Sequence, residues 1–438
     1  MKEDFLHFLW MHQQFDLKDL KTTQEESITL LDRGYPHEDE GPDFRQARIL
    51  LNEMEWVGHI EIHIKSSDWE KHKHHTQERY QNVILHVVWE DDQEVFRKDG
   101  SVIPTLVLRD RIKEDCLSFY EKVSQASSQI ACANSFDTVS DFEKFQMLDK
   151  AVTQRLFRKG ETVLKLLEES GNNWEECAYQ LLAENFGFKK NKVSFLKLAK
   201  RLPLKILKLH SDNILQIEAL LFGLSGLLPQ ESVDDYSESL KKEYAFLAHK
   251  YQLQEKQLSV VEWDFLRLRP ANFPTLRLAQ FAQFITKNTY FFSNFVFQNE
   301  VEKYESLFEI EVSSYWKKHY HFGKLSKKES DRSLGKSSLQ NIMINTIAPL
   351  KVAYGLYHKE DRFFETALSL LENIPAEKNK LIDQWKELGS TIKSAYDSQA
   401  YLELFNSYCT NRKCFSCTIG CRLLQKEIQL KEPFFIIS

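Results

Sequence analysis

Two groups of residues in this sequence have the types and spacing that bind metal ions. The first lies in Gly58-His59-Ile60-Glu61-Ile62-His63-Ile64-Lys65, where isoleucine alternates with polar residues. Successive side chains of a strand point to opposite faces, so Ile60, Ile62 and Ile64 face a core while His59, Glu61, His63 and Lys65 share the other face. Asp43 opens the preceding run of strand character, directly after Gly41-Pro42. A hairpin turn centred near Glu53 sets Asp43 opposite His63 and diagonal to Glu61, on that same face. A hydrolase that uses a divalent cation needs at least two oxygen ligands at one point and a group that activates or orients water. Asp43 and Glu61 are the candidate ligands for Mg²⁺ or Mn²⁺, and His63 or Lys65 the candidate to act on the water. The plainer reading of the same alternation is a half-exposed strand with no further role. A pairing slip of one residue would separate Asp43 from Glu61.

His72, His74 and His75 follow within ten residues of this strand. They read either as a solvated polar turn or as further ligands, and imidazole favours Zn²⁺ or Mn²⁺ over Mg²⁺. His86 sits in the apolar run Asn82–Glu90 and reads as a hydrogen-bonded core residue. The second group is Cys409, Cys414, Cys417 and Cys421, with four, two and three residues between successive cysteines. Four thiolates close a tetrahedral Zn²⁺ site or hold an iron–sulfur cluster, and the spacing does not separate the two. Cys421 is the least secure ligand, the role would be structural, and reduced thiols on a helix end are the alternative. Cys116, Cys132 and Cys177 are scattered.

The elements that must position these residues change character along the chain. Residues 2–14 read as an amphipathic helix, Phe44–Leu51 and Trp56–Lys65 as a strand hairpin, 66–81 as a loop or short helix, and 82–90 and 102–108 as strands. From about residue 140 the apolar spacing becomes three and four, as in 141–169, 174–186, 193–209, 213–227 and 237–253. The expected fold is α+β: a small mixed β-sheet with flanking helices over residues 1–125, then a large all-α domain over 140–438 that ends in the cysteine segment 409–421. Residues 323–338 read as an exposed loop.

With 438 residues the chain has room for two or three domains. Its net charge of −6 excludes a uniformly basic nucleic-acid binder. Contact with DNA or RNA would rest on local features, such as the lysine-rich helix 189–209 or Arg267, Arg269 and Arg277. The lysine run is more often the solvated face of a core helix, and the arginines read equally as a loop-fixing network. No run of 18 apolar residues predicts a membrane span, and the charged N-terminus lacks a signal-peptide core, so the expected location is cytoplasmic. No phosphate-binding glycine loop, dinucleotide fingerprint or Gly-x-Ser-x-Gly elbow is present.

Pro42-Asp43, an 18-residue step and Glu61-Ile62-His63 resemble the PD-(D/E)XK nuclease pattern, and the order helix, hairpin, connection, strand is similar. That resemblance implies a restriction-endonuclease-like domain in which Asp43 and Glu61 hold Mg²⁺ or Mn²⁺. His63 stands where the pattern has lysine, and Lys65 lies one strand repeat, about 6.6 Å, further on. Either residue takes the lysine's role, or catalysis is lost. The whole chain resembles domain of unknown function 2851, found mostly in Bacteroidetes-type bacteria. The resemblance is carried by Gly41-Pro42-Asp43-Phe44, residues 61–69, residues 82–88, Arg269-Pro270-Ala271-Asn272-Phe273-Pro274 and the cysteine segment. It implies a bacterial cytoplasmic protein and lends no activity. The expected function is metal-dependent cleavage of nucleic acid. Its rivals are a nucleic-acid-binding protein with a decayed site, a Zn/Mn enzyme acting on a small molecule, and a helical scaffold.

Overall fold

A computed structural model describes residues 1–37, 40–112, 114–288 and 290–427. The hairpin expected at residues 44–65 forms, with Leu51 paired to Met54 across a two-residue turn. Both turn residues, Asn52 and Glu53, have positive φ, at 48° and 68°. This is the turn class whose twist matches that of the flanking strands. Asparagine tolerates it, whereas glutamate meets its own Cβ strain there. Replacing Glu53 with glycine is therefore expected to stabilise the protein by about 1 kcal/mol. Thermal denaturation checks this, and a lower melting temperature would show that the Glu53 side chain contributes more than its backbone strain costs.

The register differs from the sequence expectation for two local reasons. The turn is centred between Asn52 and Glu53, so the regular ladder runs through Arg48–Val57 and Ala47–Gly58. Carried on unchanged, it would bring Asp43 level with Ile62. A bulge between Phe44 and Ala47, with Gln46 at φ 58°, adds one residue to the first strand. Phe44 consequently pairs with Ile60, which brings Asp43 level with Glu61. The bulge thus turns Asp43 onto the Glu61 face.

The hairpin is the centre of a seven-stranded mixed sheet. Its strands are β1 (Leu20–Lys21), β2 (Ser27–Asp32), β3 (Tyr35–Pro36), β4 (Phe44–Leu51), β5 (Met54–Lys65), β6 (Val83–Glu90) and β7 (Thr105–Val107). The order is β1-β2-β4-β5-β6-β7, with β3 also paired to β4. Pairing is antiparallel up to β5 and parallel from β5 to β6 and β6 to β7. Three short strands form before residue 40, between the expected helix and the expected hairpin. They carry too little apolar alternation to announce themselves, Ile28 being the one buried residue of β2. Gly58 is required where β6 begins, because a Cβ there would stand 2.4 Å from Ile84 Cγ2 and 2.5 Å from the Asn82 carbonyl.

Helix α1 (Glu3–Met11) buries Phe5, Leu6, Phe8, Leu9 and Trp10 and packs on β5. The β5–β6 crossover contains α2 (Asp68–Lys71) and two single 3₁₀ turns. It sets Trp69 5.4 Å from the His74 ring and 5.6 Å from the His86 ring. Both faces of β5 are thereby covered. Ile60 and Ile62 are buried on one face, and Glu61 and His63 on the other, at 4% and 2% exposure. The half-exposed strand suggested by the alternation is covered on both faces over residues 60–63, where its second face is polar, while His59, Ile64 and Lys65 are half-buried.

The chain divides into two compact units, Lys150–Tyr401 and a unit formed by Met1–Asp149 together with the segment from Leu402. The cysteine segment, expected at the end of the helical domain, therefore belongs with the sheet. Phe415 explains this, because its ring centroid lies 4.9 Å from Phe5, 5.6 Å from Phe8 and 5.7 Å from Tyr120. The helical unit matches the expected periodicity at Trp174–Phe186, capped by the Asn173 side chain, and at Ile214–Leu224, capped by Asn213. Expected segment 193–209 divides at Pro203 into Phe188–Arg201 and Leu204–Lys208. A small hairpin, His319–His321 with Lys324–Leu325, begins the stretch read as loop. No described helix is long and apolar enough to cross a membrane.

Candidate metal centre

Glu61 and three histidines meet on the covered polar face of β5. Asp43 donates its backbone N–H to Glu61 Oε2 at 3.2 Å, which leaves Oε1 to face the imidazoles. Glu61 Oε1 lies 3.2 Å from His74 Nε2 and 3.6 Å from His63 Nε2. His63 Nε2 is in turn 3.1 Å from His72 Nδ1. The ligand atoms of His63, His72 and His74 all lie within 4.8 Å of one another. Tetrahedral Zn²⁺, with bonds near 2.0–2.1 Å, sets its ligand atoms about 3.3–3.4 Å apart, and the three closest approaches here, 3.1, 3.2 and 3.6 Å, bracket that spacing. The other nitrogen of His63 meets His86 Nε2 at 2.8 Å. Such an outer contact fixes the ring's orientation and tautomer. His63 and His74 are buried, whereas His72 is exposed, so one edge of the cluster reaches solvent.

Burial sets the protonation states. It raises Glu61 to about 9, helped by the Asp43 charge. It lowers His63 to about 2, with His86, His74 and His72 adding to the effect. It likewise lowers His74 to about 4 and His86 to about 3. At neutral pH His63, His74 and His86 are thus neutral imidazoles, the form that binds metal, beside a protonated Glu61 carboxyl group that a cation would ionise. Beside it, the Asp43 carboxylate accepts the Ile62 N–H at 2.8 Å and faces His7 Nε2 at 3.4 Å. Although burial opposes it, this contact raises His7 above its ordinary range. Burial raises Glu3 of α1, which also interacts with His7, Asp43 and His72.

The sequence profile of a family described as "Protein of unknown function (DUF2851)" matches residues 3–380. The chain belongs to this family. No curated protein and no solved structure matches it.

The sequence candidates in this DUF2851 chain divide by position. Glu61 and His63 are in the cluster. Asp43 stands beside it and spends its carboxylate on Ile62 and His7. Lys65 lies away from it, 3.7 Å from both Glu90 and Asp92. His72 and His74, left between two readings by the sequence, supply the remaining imidazoles. His75 instead lines a surface cavity with Glu70, Phe96 and Arg97. His86 is buried as expected, but its partner is His63. Sequence reasoning missed His7, whose only signal is its place on the helix that covers the strand.

Of the cysteines, Cys409, Cys414 and Cys417 line one cavity, joined there by Cys132. Cys421 instead donates its thiol to the Phe415 carbonyl at 3.0 Å. No disulfide joins any of the cysteines among the described residues. The candidate nucleic-acid features carry partners of their own. Lys192, Lys197 and Lys200 pair with Glu184, Glu262 and Glu169. Arg277 donates to Gln280, Asn272 and Ser338, which favours the loop-fixing reading for that residue.

Proposed function

We propose that this protein is a metal-dependent hydrolase of phosphodiester bonds in nucleic acid, with a Zn²⁺ or Mn²⁺ ion held by Glu61, His63, His72 and His74. The observation that carries the reading is the approach of Glu61 Oε1 to two imidazole nitrogens, at 3.2 and 3.6 Å, with the third imidazole 3.1 Å from His63. Three imidazoles select a softer ion than the Mg²⁺ suggested by the carboxylates alone. An ion held there would supply a water of pKa lowered towards neutrality and would polarise a phosphoryl oxygen. His7, steered by Asp43, is the group placed to move a proton. The phosphodiester assignment draws on the order of elements: a helix, three antiparallel strands β2-β4-β5, a crossover, and β6 parallel to β5. It also draws on the adjacency of Asp43 and Glu61 on the two central strands.

The test is incubation of the protein with Mn²⁺, Zn²⁺ or Mg²⁺ and end-labelled single- and double-stranded DNA and RNA. Cleavage with Mn²⁺ or Zn²⁺ that disappears in His63→Ala is expected. Salt-sensitive binding without cleavage would replace the reading by that of a decayed site. Hydrolysis of a small chromogenic phosphodiester alone would point to a small-molecule substrate, and metal binding with none of these would overturn hydrolysis.

A further inference from the structure

The C-terminal cysteines pose a separate question from the strand site, because the chain folds back to give them a partner. Cys132, scattered in the sequence, lines the same cavity as Cys409, Cys414 and Cys417. The four are close enough for their charges to interact: Cys132 with Cys414 and Cys417, and Cys409 with Cys132, Cys414 and Cys417. The cavity measures about 600 Å³. A single Zn²⁺ ion would need four sulfurs about 3.8 Å from one another, whereas no three of the described cysteines bring their sulfurs within 4.8 Å of one another. Four cysteines around an open cavity suit a polynuclear cluster, in which each thiolate binds a different metal atom.

Three further features fit an anionic inorganic guest. Lys122, Lys413 and Lys426 also line the cavity, and four thiolates plus an iron–sulfur core carry net negative charge. Cys417 immediately precedes the ten-residue helix Thr418–Glu427, whose N-terminal end favours negative charge. Gly420 lets that helix close on the cysteine turn, since a Cβ there would stand 2.1 Å from the Cys414 carbonyl oxygen.

We propose that Cys132, Cys409, Cys414 and Cys417 hold an iron–sulfur cluster of the four-iron class, and that Cys421 is a structural thiol outside it. The site therefore has three ligands from one short segment and a fourth from the distant residue Cys132. It is independent of the ion assigned to Glu61 and the histidines.

The experiment is anaerobic purification of the full chain, reconstitution with ferrous iron and sulfide, removal of excess, and measurement of iron, acid-labile sulfide and zinc. The expected result is about four iron and four sulfide per chain. A brown charge-transfer absorption that bleaches on reduction with dithionite should accompany them. Cys132→Ser should lose most of the iron and sulfide, and Cys421→Ser should retain them, each with a helical circular dichroism spectrum like that of the wild type. If Cys132→Ser fails to fold, the wild-type iron and sulfide content together with the Cys421→Ser result decides. Zinc without sulfide in the wild-type protein, or loss of the cluster in Cys421→Ser but not in Cys132→Ser, would overturn the proposal.

Discussion

Replacing His74 with alanine is expected to lower the affinity for Zn²⁺ at least about a hundredfold, and His63→Ala and Glu61→Ala should do the same. The reason is geometric. Glu61 Oε1 approaches both His63 and His74, so removing any one of these groups takes away one of the proposed ligands. A residue that only orients a ligand typically costs about 10–100-fold, and His86→Ala, which removes the 2.8 Å contact to His63, belongs in that range. Asp43→Ala belongs there too, because Asp43 locks Glu61 through its own N–H and the Ile62 N–H through its carboxylate. Lys65→Ala should leave the affinity unchanged, since its ammonium pairs with Glu90 and Asp92 instead. Competition titration against a chromogenic chelator measures all five variants and the lysine control. Wild-type affinity in His74→Ala, or a large loss in Lys65→Ala, would remove the site from this face.

The contrast between Lys65 and His74 also shows which part of the site was legible. The period-two run at residues 58–65 gave the strand and its polar face because side-chain alternation is local and strict. Glu61 and His63 followed from it directly. Asp43 reached its position beside Glu61 through a two-residue turn and a bulge at Gln46, neither of which the composition marks. A glutamine or glutamate at positive φ carries no sequence signal comparable to glycine's. His72 and His74 are brought over the strand by the crossover, a tertiary event that spacing along the chain does not encode. Lys65 obeyed the alternation, but acidic neighbours at the end of β6 captured it. The cysteines follow the same logic. The local CxxC was visible, whereas Cys132 is brought to it by the packing of Phe415 with α1 and Tyr120.

Stripped of metal, the sheet-bearing unit is expected to be most stable near pH 6.5 and to lose stability on both sides. On the acid side three groups act together. His63, His74 and His86 have folded pKa values near 2, 4 and 3, all below the ordinary 6.5. Their folded-state preference for the neutral ring is fully expressed above pH 6.5 and is lost as pH falls below it, because the unfolded chain takes up protons that the folded one refuses. Glu61 runs the other way. Its folded pKa, near 9, lies above the ordinary 4.5, so its contribution is complete below pH 4.5 and is lost as pH rises through 9. Between pH 6.5 and 4.5 these three rings, joined by His12, which burial lowers to about 4, outweigh the protons that folded Glu61 and His7 retain, so stability falls as pH drops. On the alkaline side Glu61 is joined by His7, whose pKa is also raised, so stability falls as pH rises above neutrality. Saturating Zn²⁺ should raise the curve and flatten its alkaline limb, because the ion ionises Glu61 already at neutral pH. Urea unfolding of chelator-treated and zinc-loaded protein from pH 4.5 to 9, followed by tryptophan fluorescence, measures both limbs. A metal-free curve that is level between pH 6.5 and 5 would mean the three rings are solvated in solution and that the cluster does not hold the buried, neutral arrangement a metal ion needs.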